Sequence, residues 1–310
     1  MSAAAAIETL DQLTKPQVEA ILALAAAAER TDGVRPINEA TELRLRSATT
    51  SATGGGQAGV RDVVHVIATG EDGATHGYAQ LSGAAGGAPE IELAVHPDHR
   101  RRGTGRALLR TARDAVGDKT LRGWAHGDLP GARALAGSEG FEPVRGLLKM
   151  RLDLATTDLP DDEIPAGVRI RAFEPGQDED AWLQVNSRAF ATHPEQGKWT
   201  RADLEARKGE PWFDPAGFLM AVDESTGELL GYHWTKVEDG VGEVYVVGVD
   251  PAAQGRRLGS VLTSAGLHHL KRADVPVVDL YVESDNEPAL KVYKRLGFRR
   301  SALDVMYESH

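Results

Sequence analysis

The chain has no cysteine. That absence excludes disulfides, thiolate metal sites and thiol nucleophiles together, so no covalent intermediate can be carried on sulfur. Long hydrophobic runs are also missing: nothing approaches the roughly 18 apolar residues of a membrane-crossing helix. The opening MSAAAAIETLDQL turns acidic too soon for a secretory leader, and a cytoplasmic protein is expected. Basic excess is lacking as well. With 46 acidic residues against 35 lysines and arginines, the formal net charge is -11, which excludes the broad cationic face that nucleic-acid binding requires. The 10 histidines show no His-Glu-x-x-His or comparable ligand spacing, so no metal is expected. His268 and His269 are neighbours on a predicted helix and point in different directions, which suits ordinary surface roles.

At 310 residues the chain suits two domains of about 150 residues each. A first helix is announced by Thr14 as cap, Pro16 in the first turn, and Val18, Ile21, Leu22 and Ala25 on one face. Strand-like runs follow at 63–69, 77–81 and 91–96. The basic stretch HPDHRRRGTGRALL, residues 96–109, then opens a helix carrying Leu108, Ala112 and Ala115. TTDLPDDEIPAG, residues 156–167, reads as a linker. Beyond it the same order returns: a helix with Trp182, Val185 and Ala189, strands at 217–223, 229–237 and 243–250, and DPAAQGRRLGSVLT at 250–263 opening a helix with Leu258, Val261, Leu262 and Ala265. A strand at 277–284 and a short helix ending at Gly297-Phe298 complete it, and Gly140-Phe141 marks the same point in the first half. This predicts two tandem copies of one α/β unit with a mixed sheet, 1–155 and 168–310.

In both copies a strand ends near a proline and a Gly/Arg loop starts a helix. A helix start leaves backbone N–H groups unpaired and carries partial positive charge, so an anion fits there. The first loop is not a phosphate-binding Walker loop, because no Gly-Lys-Ser/Thr follows, and it lacks the third glycine of a dinucleotide fingerprint. Arg100-Arg101-Arg102-Gly103-Thr104-Gly105 resembles instead the [Arg/Gln]-x-x-Gly-x-[Gly/Ala] loop of the GNAT acetyltransferase superfamily, where it holds the pyrophosphate of acetyl-CoA. The second loop, Gln254-Gly255-Arg256-Arg257-Leu258-Gly259, keeps the ends of the motif but puts Arg257 at its first glycine, with Gly255 as the candidate for compensation. Independently, the segment from Asn286 to Phe298 resembles the Asn-x-x-Ala-x-x-x-Tyr-x-x-x-Gly-Phe stretch that closes GNAT domains.

Amide formation from a thioester needs a deprotonated amine, a stabilised tetrahedral oxyanion and a proton for the departing thiolate. The second copy offers a carboxylate, Glu243, on the strand before its loop and a phenol, Tyr293, on its closing helix. Aligning Pro97 with Pro251 puts Pro89 opposite Glu243, and leaves Glu90 and Glu92 on the other face of a regular strand. Aligning the Gly-Phe pairs puts Ala136 opposite Tyr293. The expectation is therefore that the first copy binds acetyl-CoA without catalysing and the second performs the transfer.

The phrases DGVRPINEA, HPEQGKW, HWTKV, EVYVVGVDP and YVESDN resemble the mycothiol synthase family, tandem GNAT enzymes that acetylate the amine of cysteinyl-glucosaminyl-inositol. The resemblance implies Glu243 as general base and Tyr293 as general acid. It implies acceptor contacts at Glu39, Glu195, Lys236, Tyr281 and Glu243. Acetyl-CoA contacts are implied at Leu93, Ala94, Val95 and Arg100, Arg101, Arg102, Gly103, Thr104, Gly105 in the first copy. In the second they fall at Val247, Gly248, Val249, at Gln254, Gly255, Arg256, Arg257, Leu258, Gly259, Ser260, and at Asn286, Glu287, Pro288, Ala289, Leu290, Lys291. A monomer without nucleic-acid, membrane or metal partners is expected. Two alternatives stay open at this stage: a GNAT enzyme for another amine, such as an aminoglycoside, polyamine or protein N-terminus, and an acetyl-CoA sensor without turnover.

Overall fold

A computed structural model of the chain describes residues 5–50, 63–83, 89–191 and 196–310. In chain order the elements are β1 (Ala6–Leu10), α1 (Lys15–Asp32), α2 (Glu39–Thr50), β2 (Val63–Thr69), β3 (Thr75–Ser82), β4 (Glu90–Val95), α3 (Thr104–Val116), β5 (Arg122–Ala125), α4 (Pro130–Ser138) and β6 (Phe141–Asp153). The second run is β7 (Val168–Ala172), α5 (Glu179–Ala189), α6 (Arg201–Lys208), β8 (Phe218–Asp223), β9 (Leu229–Glu238), β10 (Val241–Val249), α7 (Leu258–Arg272), β11 (Val277–Glu283), α8 (Glu287–Arg295) and β12 (Arg299–Ser309). Unit 1 comprises Met1–Leu147 with Leu303–His310, and unit 2 comprises Leu148–Ala302. The stretch 156–167 lies within unit 2.

In unit 1 the strand order is β1-β2-β3-β4-β5-β12, antiparallel throughout except for the parallel β4–β5 pair. α1 starts where Thr14 and Gln17 form a capping box, with the Thr14 N–H donating to Gln17 Oε1 at 2.8 Å, and it ends at Gly33, whose φ of 72° few other residues adopt. It buries Val18, Ile21, Leu24 and Ala28, one residue per turn, while Leu22 and Ala25 are only partly covered. α3 packs Leu108, Leu109 and Ala112 against Val66, Ala79, Leu81 and Ile91 on the other face of the sheet.

Unit 2 has the order β6-β11-β10-β9-β8-β7, entered at Leu148. One face carries α7, with Leu267 and Leu270 against Val244, Val278 and Leu280. α7 lies so near the sheet that a Cβ at Gly266 would overlap the His233 ring, which explains a glycine inside a helix. The opposite face holds an aromatic cluster around Trp234, with Phe218 stacked at 4.4 Å and Trp182 edge-on at 5.8 Å. Among the described residues, no helix is long and apolar enough to cross a membrane.

Candidate active site

Each sheet splits where its loop begins. β4 pairs with β5 only at Glu90–Arg122 and Ile91–Gly123, and β10 pairs with β11 only from Val241–Val277 to Val244–Leu280. In unit 2 the β9 ladder also shifts register between Val244 and Val246, leaving Tyr245 as a bulge. Such a bulge bends its strand and sharpens its twist, which turns β10 away from β11. Leu93–Val95 and Val247–Val249 therefore lie beyond the last paired residues, where a ligand can meet backbone groups that no neighbouring parallel strand takes up.

The two loops follow one backbone path. Arg101 (φ 62°) and Gly103 (φ 88°) are left-handed in unit 1, as are Gly255 (φ 80°) and Arg257 (φ 63°) in unit 2. Gly255 thus does not compensate for Arg257; each occupies its own left-handed position, and Arg257 holds the glycine conformation at the N-cap of α7. Arginine is strained there, so Arg257→Gly is expected to raise stability by roughly 0.5–1 kcal/mol after glycine's own entropy cost, read by calorimetric melting.

Arg100 turns inward, its guanidinium forming bidentate bonds of 2.7 and 2.6 Å to Asp32 and donating to Val95 O at 3.2 Å. It braces the loop against the end of α1. Around this loop unit 1 encloses a cavity of about 840 Å³, whose lining includes Leu93, Ala94, Val95, Arg101, Gly103 and Gly105. That volume suits a cofactor-sized ligand. In unit 2, Asn286 caps α8 by accepting from the Ala289 N–H at 3.2 Å.

Glu243 lies in a row of charges across four strands of unit 2. It is paired in register with Lys236 on β9 and with Asp279 on β11. Lys236 is buried, its Nζ 4.7 Å above the Trp212 ring, 5.6 Å from that of Tyr245 and 3.2 Å from Glu238. An ammonium between two aromatic faces is held by their quadrupoles and by the half-buried Glu238 carboxylate. Asp279 receives 2.7 Å bonds from both ends of the Arg151 fork and stands 3.0 Å from Lys149 Nζ. Burial alone would raise the Asp279 carboxyl, but the bonds from Arg151 and Lys149 outweigh it and hold it below the usual range. Tyr281, two residues on along the same face, is 43% exposed.

Tyr293 projects from α8 onto the cluster that contains Val244, with its ring edge-on to Phe298 at 5.8 Å. Burial pushes its phenol up to about 12. Glu243 and Tyr293 thus come from the two elements that bracket the split, β10 before it and α8 after β11.

The ladder corrects one expectation. Because Tyr245 is an extra residue, the level of Glu243 is matched by Glu90, not Pro89: Glu243 pairs with Lys236, and Glu90 with Ser82 at the equivalent place on β3. Glu90 and Glu92 also share one face of β4 with the Glu243 position. Unit 1 keeps a carboxylate there but has Ala136 where unit 2 has Tyr293. Glu39 opens α2 of unit 1 directly after Asn38, whose Oδ1 accepts from the Thr41 N–H at 2.8 Å. Glu195 lies outside the described residues. Sequence reasoning passed over Asp279, Lys149, Arg151 and Trp212. The alternation VVDLYVE, which puts Asp279, Tyr281 and Glu283 on one face, was the available signal.

Residues 180–298 match the acetyltransferase (GNAT) family model, and residues 61–143 match an acetyltransferase (GNAT) domain model. The mycothiol acetyltransferase of Thermomonospora curvata is 54% identical over 96% of both chains, and that of Geodermatophilus obscurus is 51% identical over 99% of both. This chain belongs to the mycothiol acetyltransferase family. Like other GNAT proteins, a member of this family uses acetyl-CoA as donor in N-acetyl transfer. Among solved structures, a GCN5-related N-acetyltransferase from Sphaerobacter thermophilus is 25% identical with a TM-score of 0.67, covering 98% of this chain and 95% of that one. A tandem GNAT protein from the clavulanic acid biosynthesis pathway, 24% identical over 98% of both chains, shares the fold of the mycothiol acetyltransferase family at a TM-score of 0.74.

Proposed function

We propose that unit 2 transfers acetyl from acetyl-CoA to the cysteinyl amine of cysteinyl-glucosaminyl-inositol, giving mycothiol and CoA, and that unit 1 binds acetyl-CoA without turning it over. The observation that carries this is the position of Glu243 in register with Lys236 and Asp279, one residue before the last β10–β11 pair at Val244–Leu280, with Tyr293 of α8 packed on the cluster that contains Val244. Acetyl-CoA supplies a thioester carbonyl open to attack and a thiolate that departs. Glu243 takes a proton from the acceptor ammonium, whose ordinary pKa of about 7.7–8.0 leaves much of it protonated at neutral pH. Tyr293 keeps its proton across that range and gives it to the leaving sulfur, and the second proton that the nitrogen loses as the amide forms restores the phenol. The exposed Tyr281 offers a stacking surface to a hydroxyl-rich acceptor, and the buried Lys236 sets a positive charge beside Glu243. With no cysteine in the chain, no acyl-thioester forms on the protein, and the reading is of direct attack by the amine on acetyl-CoA.

Incubation of the full chain with acetyl-CoA and cysteinyl-glucosaminyl-inositol, followed by chromatographic measurement of mycothiol and CoA, tests the reading. Equal formation of both products is expected. Turnover of aminoglycosides, polyamines or peptide N-termini in preference to this acceptor, or tight acetyl-CoA binding with no amine acetylated, overturns it.

A further inference from the structure

Residues Thr157–Asp162 run along α7 from its last turn to its first. Lys271 Nζ donates to Thr157 O at 2.7 Å, and Ser264 Oγ to Pro160 O at 2.7 Å. The His268 imidazole stands 3.4 Å from Pro160 O and 3.3 Å from the Asp161 carboxylate. At the far end Ser260 Oγ donates to Asp162 Oδ2 at 2.6 Å. Positions 271, 268, 264 and 260 follow one another at helical spacing, so the strap tracks a single face. Five extended residues reach about 16 Å, the same as the rise of the eleven helix positions they cross.

The strap ends with a carboxylate in a cationic corner. Arg295, from the last turn of α8, reaches Asp162 Oδ2 at 3.3 Å and also hydrogen-bonds Ser260; Arg257 stands 3.6 Å from Oδ1. The Asp162 side chain is 9% exposed. In unit 1 the corresponding helix positions are Arg106 and Ser138, joined at 3.2 Å with donor and acceptor exchanged, and both line the cavity described above. A Ser–Arg bridge between these two helices therefore borders the ligand space in unit 1. In unit 2 the same bridge is occupied by the chain's own anion, at a helix start that favours negative charge.

We propose that Ser260 and Arg295 form a subsite for a phosphate group of acetyl-CoA in unit 2, and that Asp162 is its built-in competitor, displaced when the donor enters. This rests on the reading of unit 2 as the transferring unit. Asp162 keeps the corner neutralised between turnovers, and its return assists CoA release.

The absence of native cysteine allows a direct test. Ile164 is 50% exposed, and a nitroxide on Ile164→Cys reports on the strap alone. Its spectrum is expected to become more mobile at saturating acetyl-CoA, and to be mobile without ligand when Asp162→Asn is added. In turnover, Asp162→Asn lowers the KM for acetyl-CoA about tenfold and Arg295→Ala raises it about tenfold, the range of one charged hydrogen bond. An unchanged spectrum with acetyl-CoA overturns the proposal, as does an Asp162→Asn chain that melts lower with the same KM, the mark of a carboxylate that only caps α7. Should Asp162→Asn fail to fold, the label in the otherwise native chain decides. Should the acceptor not be turned over, the functional reading fails while the label still reports on the strap.

Discussion

Glu243→Gln is expected to lower kcat by about 10²- to 10⁴-fold, the range of a lost general base, with the fold intact by circular dichroism. The loss is steepest at low pH. With the carboxylate gone, reaction has to wait for acceptor that has already lost its proton, so kcat/KM climbs with the acceptor's own ionisation near about 7.7–8.0. The native chain reaches its plateau earlier, because Glu243 accepts the proton in place. Tyr293→Phe separates the two roles: it removes the proton for the leaving sulfur and lowers kcat while leaving the acid limb of the profile where it was. Burial holds the Tyr293 phenol up to about 12, so the native profile shows no alkaline fall from this group below that pH. A Glu243→Gln chain with native kcat at pH 6 assigns the base elsewhere. Asp279 and Lys236, its two neighbours in register, are then the groups to substitute next.

The tandem repeat was legible because its marks are local: period-two runs, a proline, a Gly/Arg loop and an amphipathic helix, recurring in one order. The Gly/Arg loop at each helix start was legible for the same reason, as was the placement of Lys236 on the strand beside Glu243. What escaped reading depends on one-residue geometry or on distant partners. Tyr245 sits in VYVV, which reads as unbroken alternation, so nothing in the sequence announces the bulge that moves the equivalent of Glu243 from Pro89 to Glu90. Arg257 looked like a defect because the motif shows which residue is usual, not which φ the loop demands; the backbone demands a left-handed residue at two places in each loop, and arginine serves at one of them in each. The Arg151–Asp279 clamp joins residues 128 positions apart. Strand periodicity says that each lies on a polar face but not that the faces coincide. In the same way, the polar stretch at 156–167 suggests a boundary between 155 and 168 without saying that unit 1 ends at Leu147 and resumes at Leu303.

The stability of unit 1 is expected to peak near pH 6.5 and to fall on the alkaline side by roughly 4 kcal/mol toward pH 10, an effect traced to His126. This imidazole stands at the end of β5 with Nδ1 3.0 Å from Asp304 and Nε2 3.5 Å from Glu92, both carboxylates being buried. Glu92 is held in turn by the Asn38 side chain at 2.7 Å, and Asp304 by the Gly127 N–H at 2.7 Å. Burial by itself would lower His126, but the hydrogen bond to Asp304 and the negative charge of the adjacent Glu92 more than reverse that and raise it to about 10. The folded chain therefore binds this proton more tightly than the unfolded chain does. Its stabilising contribution is complete below the unfolded value of 6.5 and drains away as pH rises through 10. His65 acts in the opposite sense: burial lowers it to about 4, so the unfolded chain gains the proton first and stability falls as pH drops from 6.5. Denaturant titrations from pH 5 to 10 check both limbs. Asp304→Asn should cost about 3–5 kcal/mol at pH 6.5, as expected when one partner of a buried ion pair is removed, and should flatten the alkaline slope. A variant that loses stability but keeps the native slope shows that Asp304 packs this corner without holding the proton, and leaves Glu92 as the group that does.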